Sequence, residues 1–334
     1  MALLRSILVI LLLISAARVT IAQESTVYLS VITTKVFVVG GANLKTGMFF
    51  QRPHEDTVWR HSGAKNIRAF DVAVDGSSRG ESIYIASGNG VHRTTNGGKD
   101  WRITTDWRIT EVQTVAVDPA NPMIVYAGTP YGIVKTTDGG ETWRKKNIGL
   151  HATFVFSIIV DQKNPARLLC STEDGLYQSE DGAEQWVRTG LNVGGAREIA
   201  QHPKDADILF VATENNGLYY STNRGKYWEK SEAGIDHQTF YTITFDPSRP
   251  EVLYAGGYVT GVYKSVDGGR SWKRMNEGLT TLHVYAIAVD PTNSQRVYAA
   301  TFGGGIFRSD DEGQRWRNVG LIGSQVSSIT IHPF

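Results

Sequence analysis

The sequence predicts an all-β fold built from seven similar units of four short strands, and three observations support this prediction. An eight-residue phrase ending in tryptophan occurs six times, at TTNGGKDW (94–101), TTDGGETW (136–143), SEDGAEQW (179–186), STNRGKYW (221–228), SVDGGRSW (265–272) and SDDEGQRW (309–316). Its tryptophans stand 42 to 44 residues apart, and a period in the forties indicates one repeated supersecondary unit. No segment shows sustained helical periodicity.

Each copy of the phrase follows a short apolar run opened by glycine, such as GIVK at 132–135. Such runs predict short, half-buried strands. In the phrase, Ser/Thr and Asp/Asn side chains bond the local backbone and glycine takes positive φ, so the strand reverses in a tight hairpin. The tryptophan begins the returning strand and covers the sheet edge. The phrase carboxylates (Asp138, Asp181, Asp267, Asp311) are therefore predicted to be structural.

At the N-terminus, residues 1–22 have the pattern of a secretory signal peptide: Arg5, an apolar run at 7–14, then small residues. The run is shorter than the roughly 20 apolar residues that span a bilayer. We expect cleavage after Ala22, or after Ala17 as second choice, and an exported protein, secreted or periplasmic, with no transmembrane segment after cleavage. An uncleaved anchor is the alternative.

All units share one plan, seen in strands at 112–117, 124–129, 132–137 and 143–147. Asp-Pro and Asn-Pro pairs mark the turn between the first two strands. Four strands joined by tight turns form one antiparallel sheet, and sheets arranged in a ring make a β-propeller.

The first unit contains Trp59, the tryptophan of a seventh, degenerate copy of the phrase. Residues 35–40, 47–51 and 58–62 are predicted to form its second, third and fourth strands, and no first strand precedes them. The C-terminal VSSITIHP (326–333) matches the missing strand, and pairing the termini would close the ring and leave no open edge there. The prediction is a seven-bladed propeller over residues 35–334, with blade 1 built from both termini. Residues 23–34 form an N-terminal segment, and the sequence does not decide whether 27–32 add a strand.

Net charge and residue usage argue against several classes of function. The net charge is +1, and no Lys/Arg stripe favours a nucleic-acid partner. The single cysteine, Cys170, aligns with strand residues of other units and is predicted to be buried. The eight histidines are scattered without metal-ligand spacing, and no glycine loop of phosphate-binding type occurs. We expect a monomer without metal or cofactor.

A ligand site is expected on the face opposite the hairpins, where the loops vary. The second residues of the first strands differ between units: Phe70, Gln113, Phe156, Arg197, Tyr241, Tyr285 and Ser327. With residues of the loops between strands two and three, the candidate ligand-binding set is Phe70, Phe156, Arg197, Tyr241, Tyr285, Glu173, Glu214 and Tyr258. Aromatics with an arginine and carboxylates suit a sugar or an extended peptide. The alternative is that the aromatics only close the axial channel.

A glycoside hydrolase needs two opposed carboxylates, or a tyrosine nucleophile. Glu173, Asp174, Glu198 and Glu214 are acidic candidates and Tyr241 and Tyr285 supply phenols, but nothing in the sequence pairs them. No catalytic residue is assigned. Two carboxylates in one deep pocket would favour a hydrolase, and a shallow, plugged face would favour a binding scaffold.

From about residue 35 onward the chain resembles the BNR/Asp-box propeller superfamily, whose repeat phrase is Ser/Thr-x-Asp-x-Gly-x-x-Trp. The superfamily includes sialidases, xyloglucanases, the ten-bladed sortilin domain and the photosystem II assembly factor family. The stretch VLYAG (252–256) leading into GVYKSVDGG (261–269) is similar to secreted bacterial members.

The chain lacks the Arg-Ile-Pro motif of sialidases and has room for one propeller, whereas xyloglucanases use two. The assembly-factor family, similar in length, export and blade number, acts by binding protein. The resemblance implies an exported, non-catalytic protein-binding or assembly scaffold; a glycoside hydrolase or carbohydrate-binding propeller is the alternative.

Overall fold

A computed structural model of the chain describes residues 24–34, 46–52, 55, 58–63 and 66–333. The described residues form 28 β-strands in seven four-stranded antiparallel sheets. The prediction of a seven-bladed propeller is therefore confirmed. The predicted signal peptide, residues 1–22, lies outside the described residues.

The first strands of blades 2 to 7 are β4 (Ala69–Val74), β8 (Thr114–Val117), β12 (Val155–Val160), β16 (Ala196–Gln201), β20 (Phe240–Phe245) and β24 (Val284–Asp290). The second strands, buried except for the first four residues of the last one, are β5 (Ile83–Ser87), β9 (Val125–Thr129), β13 (Leu168–Thr172), β17 (Leu209–Thr213), β21 (Leu253–Gly257) and β25 (Asn293–Thr301).

The third strands, each opened by glycine, are β6 (Gly90–Thr94), β10 (Gly132–Thr136), β14 (Gly175–Ser179), β18 (Gly217–Ser221), β22 (Gly261–Ser265) and β26 (Gly305–Ser309). The short fourth strands on the rim are β7 (Arg102–Ile103), β11 (Arg144–Lys145), β15 (Val187–Arg188), β19 (Glu229–Ser231), β23 (Lys273–Arg274) and β27 (Arg317–Gly320). Blade 1 contains β28 (Ser324–Pro333), β1 (Ser25–Thr34), β2 (Gly47–Gln51) and β3 (Arg60–Ser62).

Blade 1 joins the two ends of the chain. Its first strand is the C-terminal β28, which pairs antiparallel with β1 through partners such as Val27 and Ile331. The first strands of the seven blades contact one another in a closed circle, β28 lying against both β24 and β4. The predicted closure by terminal pairing is confirmed.

One strand of blade 1 differs from the prediction. The second-strand position, given above to residues 35–40, is occupied by β1, which pairs with β2 on its other side. Residues 35–40 lie outside the described part of the chain. The open question about residues 27–32 is thereby answered, since they belong to the propeller.

The phrase hairpins form as predicted. In the copy at 136–143 the Thr136 hydroxyl donates to Asp138 at 2.6 Å and accepts from the Gly140 amide at 2.8 Å. Asp138 in turn accepts from the amide and hydroxyl of Thr142. Gly139 and Gly140 have φ of 70° and 95°, which glycine adopts without strain. The same hydroxyl–carboxylate pair forms at Asp181, Asp267 and Asp311, so these side chains hold turns.

Most phrase tryptophans reach the preceding blade. The Trp186 indole nitrogen donates to the Lys146 carbonyl at 2.8 Å, and Trp316 donates to Met275 at 2.8 Å. Trp59, the eroded copy, donates to Val319 of blade 7 at 2.7 Å. Each such ring therefore covers the edge of its own sheet and also connects two blades. Trp228 is an exception and bonds within its own hairpin.

The core lies between adjacent blades, where the first, second and third strands supply the apolar side chains. Cys170 is fully buried in β13, as predicted. Within the described residues no helix is long and apolar enough to cross a membrane.

Candidate functional site

The axis of the propeller holds a cavity of about 600 Å³ lined by the first strands. In most first strands the pairing register skips one residue, which makes a β-bulge. The skipped residues are Phe70, Phe156, Arg197, Tyr241, Tyr285 and Ser327. Because a bulge re-aims side chains, both the second and the third residue of these strands face the axis. The predicted ring of second residues is therefore brought together around the cavity.

The third residues hold neighbouring blades together below this ring. Asp71 of blade 2 accepts from the Val115 amide at 3.2 Å and from the Thr114 hydroxyl at 3.0 Å, both in blade 3. Glu198 of blade 5 accepts from the Ile243 amide of blade 6 at 3.1 Å. A threonine makes an equivalent bond between blades 6 and 7, where the Thr242 hydroxyl accepts from the Ile287 amide. Both carboxylates are thus built into joints between blades.

These two carboxylates share one electrostatic environment. Burial raises the pKa of Asp71 above its usual value. Burial, with a further contribution from the charge of Asp71, raises the pKa of Glu198 to about 7. Removal from bulk water disfavours the charged form of a carboxyl group. A carboxyl with this pKa changes protonation state near neutral pH.

Five side chains at the end of the cavity that lies opposite the hairpin face form a group termed the mouth shelf: Phe156, Arg197, Tyr241, Tyr285 and Phe302. The Arg197 guanidinium carbon lies 4.3 Å from the Phe156 ring centroid and 5.5 Å from that of Tyr241. Cations over aromatic faces are attracted by the ring quadrupole. Arg197 also forms an ion pair with Glu214 in the next turn, so its orientation is fixed on several sides.

The rest of the mouth shelf is a continuous row of rings. Tyr241 and Tyr285 stack with centroids 5.1 Å apart, and Tyr285 meets Phe302 at 6.3 Å. On the rim, Tyr258 packs edge-on against His283 at 4.7 Å. Tyr258 and Phe302 remain 54% and 48% exposed. The row crosses blades 4 to 7 and presents aromatic faces next to one guanidinium–carboxylate pair.

The remaining candidates lie at the margins. Phe70 lies across the cavity, with the Arg68 guanidinium 5.4 Å from its ring. Glu173 is exposed in the turn between β13 and β14, where its carbonyl accepts from Gly195. Asp174 accepts from Thr172 and Tyr177 within its own blade. Glu173 is thus the candidate that the structure leaves outside the cluster.

Asp71 is the axial residue that the sequence analysis missed. It occupies the same strand position as Glu198, and an acidic residue at two equivalent positions was the available signal. Regular alternation would place third residues on the opposite side of the strand from second residues. The bulge breaks that alternation. Among the described residues no three His, Cys, Asp or Glu side chains are grouped to hold a metal ion.

Comparison with known proteins gives relatives of the fold. The family model described as Sortilin, neurotensin receptor 3, matches residues 174–259. A search of curated proteins finds no match. The GH74 xyloglucanase from Xanthomonas campestris is similar with a TM-score of 0.68 and 18% identity, over 86% of this chain and 55% of that one.

Two smaller propellers are also similar. YCF48 bound to D1 peptide has a TM-score of 0.60 and 16% identity, over 75% of this chain and 81% of that one. YCF48 from Cyanidioschyzon merolae has a TM-score of 0.58 and 14% identity, over 76% and 85%. By contrast, the chain spans only 38% to 55% of three GH74 enzymes.

The seven closed blades make the chain a seven-bladed β-propeller, and its repeated phrase resembles the Asp-box of BNR propellers. Its fold is shared with GH74 glycosidases and with YCF48 proteins. At these identities the likeness concerns the fold, so the function has to be argued from the site.

Proposed function

We propose that this propeller is an exported, non-catalytic binding protein that holds an extended segment of a partner protein across the mouth shelf. The observation that carries the proposal is the row of rings from Phe156 to Phe302 with Arg197 clamped inside it. Exposed aromatic and arginine side chains are enriched where proteins bind one another.

The chemistry of the mouth shelf suits a peptide. Apolar side chains of an extended segment can pack on the Tyr241–Tyr285 stack and on exposed Phe302. Polar groups of the segment can replace Glu214 as the partner of the Arg197 guanidinium, which is partly exposed. Because rings and guanidinium are already held by neighbours, little side-chain entropy is lost on binding.

The axial carboxylates support a non-catalytic role. Asp71 accepts hydrogen bonds from the adjacent blade and from the Val72 amide at 2.8 Å. Glu198 accepts the Ile243 amide. These bonds bind both groups to the framework. Burial also raises the pKa of the Tyr241 and Tyr285 phenols, which disfavours the phenolate that a tyrosine nucleophile needs.

A protein of similar fold supports a peptide as the partner. That relative was solved as YCF48 bound to D1 peptide, and this chain covers 81% of it. A propeller of this size and blade type can therefore bind a peptide.

Glycoside hydrolysis or carbohydrate binding is the second candidate, and one observation favours it. Glu198, with a pKa raised to about 7, faces the same cavity as Asp71. A carboxyl group with such a pKa can act as a general acid or base near neutral pH. The likeness to a xyloglucanase points in the same direction.

The test exposes protein beginning at Gln23 to a display library of random 12-residue peptides, a glycan array and chromogenic glycosides including sialosides. We expect enriched peptides whose binding is lost in Tyr241→Ala and Arg197→Gln. Tyr227→Ala is the control, because Tyr227 is 64% exposed on the hairpin face. Selective sugar binding, or turnover lost in Glu198→Gln, would contradict the proposal.

Export rests on residues 1–22 and is tested separately. The full chain is expressed in a Gram-negative host, and the N-terminus of the product is sequenced. We expect a mature protein that begins at Gln23 outside the cytoplasm. A product in the cytoplasm that retains residues 1–22 would contradict export.

A further inference from the structure

On the hairpin face, lysine and arginine side chains connect adjacent blades at several of the joints between them. In four joints a Lys or Arg of one blade donates to a carbonyl in the phrase of the next blade, an arrangement termed the strap. The straps are Arg93 to Gly139 at 2.7 Å, Lys135 to Gly182 at 2.8 Å, Arg167 to Arg224 at 3.4 Å and Lys264 to Glu312 at 3.2 Å.

Three straps are also supported by aromatic rings. Each starts from the fourth residue of a third strand, which pairs across the sheet with a tyrosine of the second strand. The cation lies over that ring, with Arg93 5.2 Å from Tyr84, Lys135 5.3 Å from Tyr126 and Lys264 5.5 Å from Tyr254. The repeat thus defines a cation position between a ring and a carbonyl.

The joint between blades 5 and 6 departs from this rule. Its fourth residue is Tyr220, which stacks on Phe210 with centroids 5.6 Å apart. The carbonyl equivalent to those of Gly139 and Gly182 belongs to Gly268. No Lys or Arg of the described chain donates to it.

The space beside Gly268 is open. A Cβ atom built on Gly139 would lie 2.4 Å from the Arg93 guanidinium, and one on Gly182 would lie 3.2 Å from the Lys135 ammonium. A Cβ atom on Gly268 would meet nothing within 4 Å. The place that a cation fills beside Gly139 and Gly182 is unfilled beside Gly268.

Two other joints lack a cation at the fourth residue of the third strand, and one of them has a similar opening: a Cβ atom on Gly97, between blades 1 and 2, would meet only the Gly80 carbonyl oxygen, at 3.9 Å. At the joint of blades 4 and 5 the fourth residue is Gln178. The cation there is Arg167, which lies in the turn before the second strand and donates to the Arg224 carbonyl. At the joint of blades 1 and 2 the position is Phe50, and Arg52 lies 5.8 Å from its ring. At the joint of blades 7 and 1, the accepting turn of blade 1 is only partly within the described residues.

A cleft of about 680 Å³ occupies the joint of blades 5 and 6. Its walls include the Phe210–Tyr220 pair and Phe245, which meets Phe210 edge-on at 5.6 Å. The charged side chains that line it are Glu229, Glu251, Asp267 and Arg270. Glu229 accepts from the Tyr220 hydroxyl at 2.6 Å, and Arg270 is exposed at the rim. Three carboxylates against one guanidinium favour a cation.

We propose that this cleft is a binding site for an arginine or lysine side chain of a partner protein. The incoming cation lies over the Phe210 and Tyr220 rings and donates to the Gly268 carbonyl, so that the partner completes the strap. The site lies on the face opposite the mouth shelf and is independent of it.

The test uses Nα-acetyl-arginine amide as the probe and follows the Gly268 and Gly269 amide signals by NMR. Its neutral isostere, Nα-acetyl-citrulline amide, is the ligand control. We expect the arginine probe to shift these signals and to bind about tenfold more tightly than the citrulline probe, a difference typical of one charge-assisted contact. Equal affinity of the two probes, or no shift with either, would overturn the proposal.

Three variants locate the site. Tyr220→Lys installs the chain's own strap and is expected to weaken binding about tenfold. Val266→Lys adds the same charge to the same hairpin at an exposed position and should leave binding within about twofold. Trp107→Ala, at an exposed residue outside both sites, should leave it unchanged. Unaltered affinity in Tyr220→Lys would refute the site.

A second variant guards against failure of Tyr220→Lys to fold. Lys135→Tyr removes the strap at the joint of blades 3 and 4, where Gly182 accepts. We expect it to gain a second arginine site, seen as new shifts of the Gly182 and Ala183 amides. Absence of these shifts in the folded variant would contradict the rule on which the site is based.

Discussion

On the hairpin face the same side-chain bonds recur from blade to blade, whereas on the mouth face the equivalent residue varies among the blades. Asp138, Asp181, Asp267 and Asp311 all accept from a hydroxyl two residues earlier. Around the mouth, by contrast, one strand position is filled by phenylalanine, arginine, tyrosine and serine. Both faces are parts of one repeat, so the repeat itself does not explain the difference.

Repetition marks residues that every blade needs for folding, and variation marks residues that folding leaves open. A binding surface is expected among the second group, which is where the mouth shelf lies. A break within the repeated group is informative for the same reason. Tyr220, which stands where Arg93 and Lys135 form straps, is such a break.

The largest expected loss of stability comes from the repeated tryptophans. Trp186→Ala should lower the free energy of unfolding by about 4 kcal/mol, since a buried ring is removed and its bond to Lys146 is lost. Trp143→Ala, at a partly exposed ring, should cost about 3 kcal/mol. Urea unfolding measures both. Trp107→Ala is the control, because Trp107 is 85% exposed, and a cost equal to that of Trp186→Ala would contradict the role assigned to the phrase tryptophans.

A strap should contribute less. Lys135→Tyr copies the sequence of blade 5 into blade 3 and removes a charge-assisted bond of 2.8 Å to Gly182. We expect a loss of about 2 kcal/mol in the same urea experiment. Lys145→Tyr, on the exposed fourth strand, is the matched control. No difference between the two variants would mean that the strap does not stabilise the joint.

The axial carboxyl should give stability a dependence on pH. Because the pKa of Glu198 is raised to about 7 in the folded protein, the folded state binds its proton more tightly than the unfolded state does. The contribution is present at low pH and is lost as pH rises through 7. Wild-type protein should therefore lose about 1 kcal/mol relative to Glu198→Gln between pH 6 and pH 8. Parallel stability profiles for the two proteins would refute this.

The hairpin carboxylates should act in the opposite direction at acid pH. Hydrogen bonds from the Gln185 amide and from the Ser179 hydroxyl hold the pKa of Asp181 below its usual value. Their contribution is present above about pH 4 and is lost as pH falls further. Asp181→Asn should flatten the acid limb of the stability curve, measured by thermal unfolding. An unchanged acid limb would contradict a stabilising role for the charge.

The smallest stability effect is expected at the mouth shelf. Tyr241→Ala and Tyr285→Ala remove half-buried rings that face the cavity, and each should cost about 1 kcal/mol or less. Binding of a selected peptide should nevertheless disappear. A large loss of stability would instead support the alternative in which these rings close the channel for structural reasons.

The sequence predicted the repeated part of the fold well, because each hairpin is specified locally by hydroxyl, carboxylate and glycine. It misplaced one strand of blade 1. The connection from β1 to β2 spans residues 35–46, whereas β9 and β10 are separated by two residues, 130 and 131. Residues 35–40 have a strand-like composition and lie nearer in sequence to β2 than β1 does, so the sequence analysis selected the wrong segment.

The site was predicted in part. The ring of second residues follows from strand alternation and from the strand order, and the structure brings it together. Asp71 was missed although it stands at the strand position of Glu198, because the bulge that turns this position toward the axis has no local signal in the sequence. The missing strap at Tyr220 could not be predicted either, since a strap depends on a contact between a strand and the hairpin of the next blade.

The most direct measurement places the photoreactive residue p-benzoylphenylalanine at one exposed tyrosine on each face and asks which one captures the ligand. Tyr258 stands at the rim of the mouth and Tyr227 on the hairpin face, exposed by 54% and 64%. We expect a peptide selected on the wild-type protein to cross-link at position 258 and not at 227. Cross-linking at 227 alone would contradict a binding role for the mouth shelf.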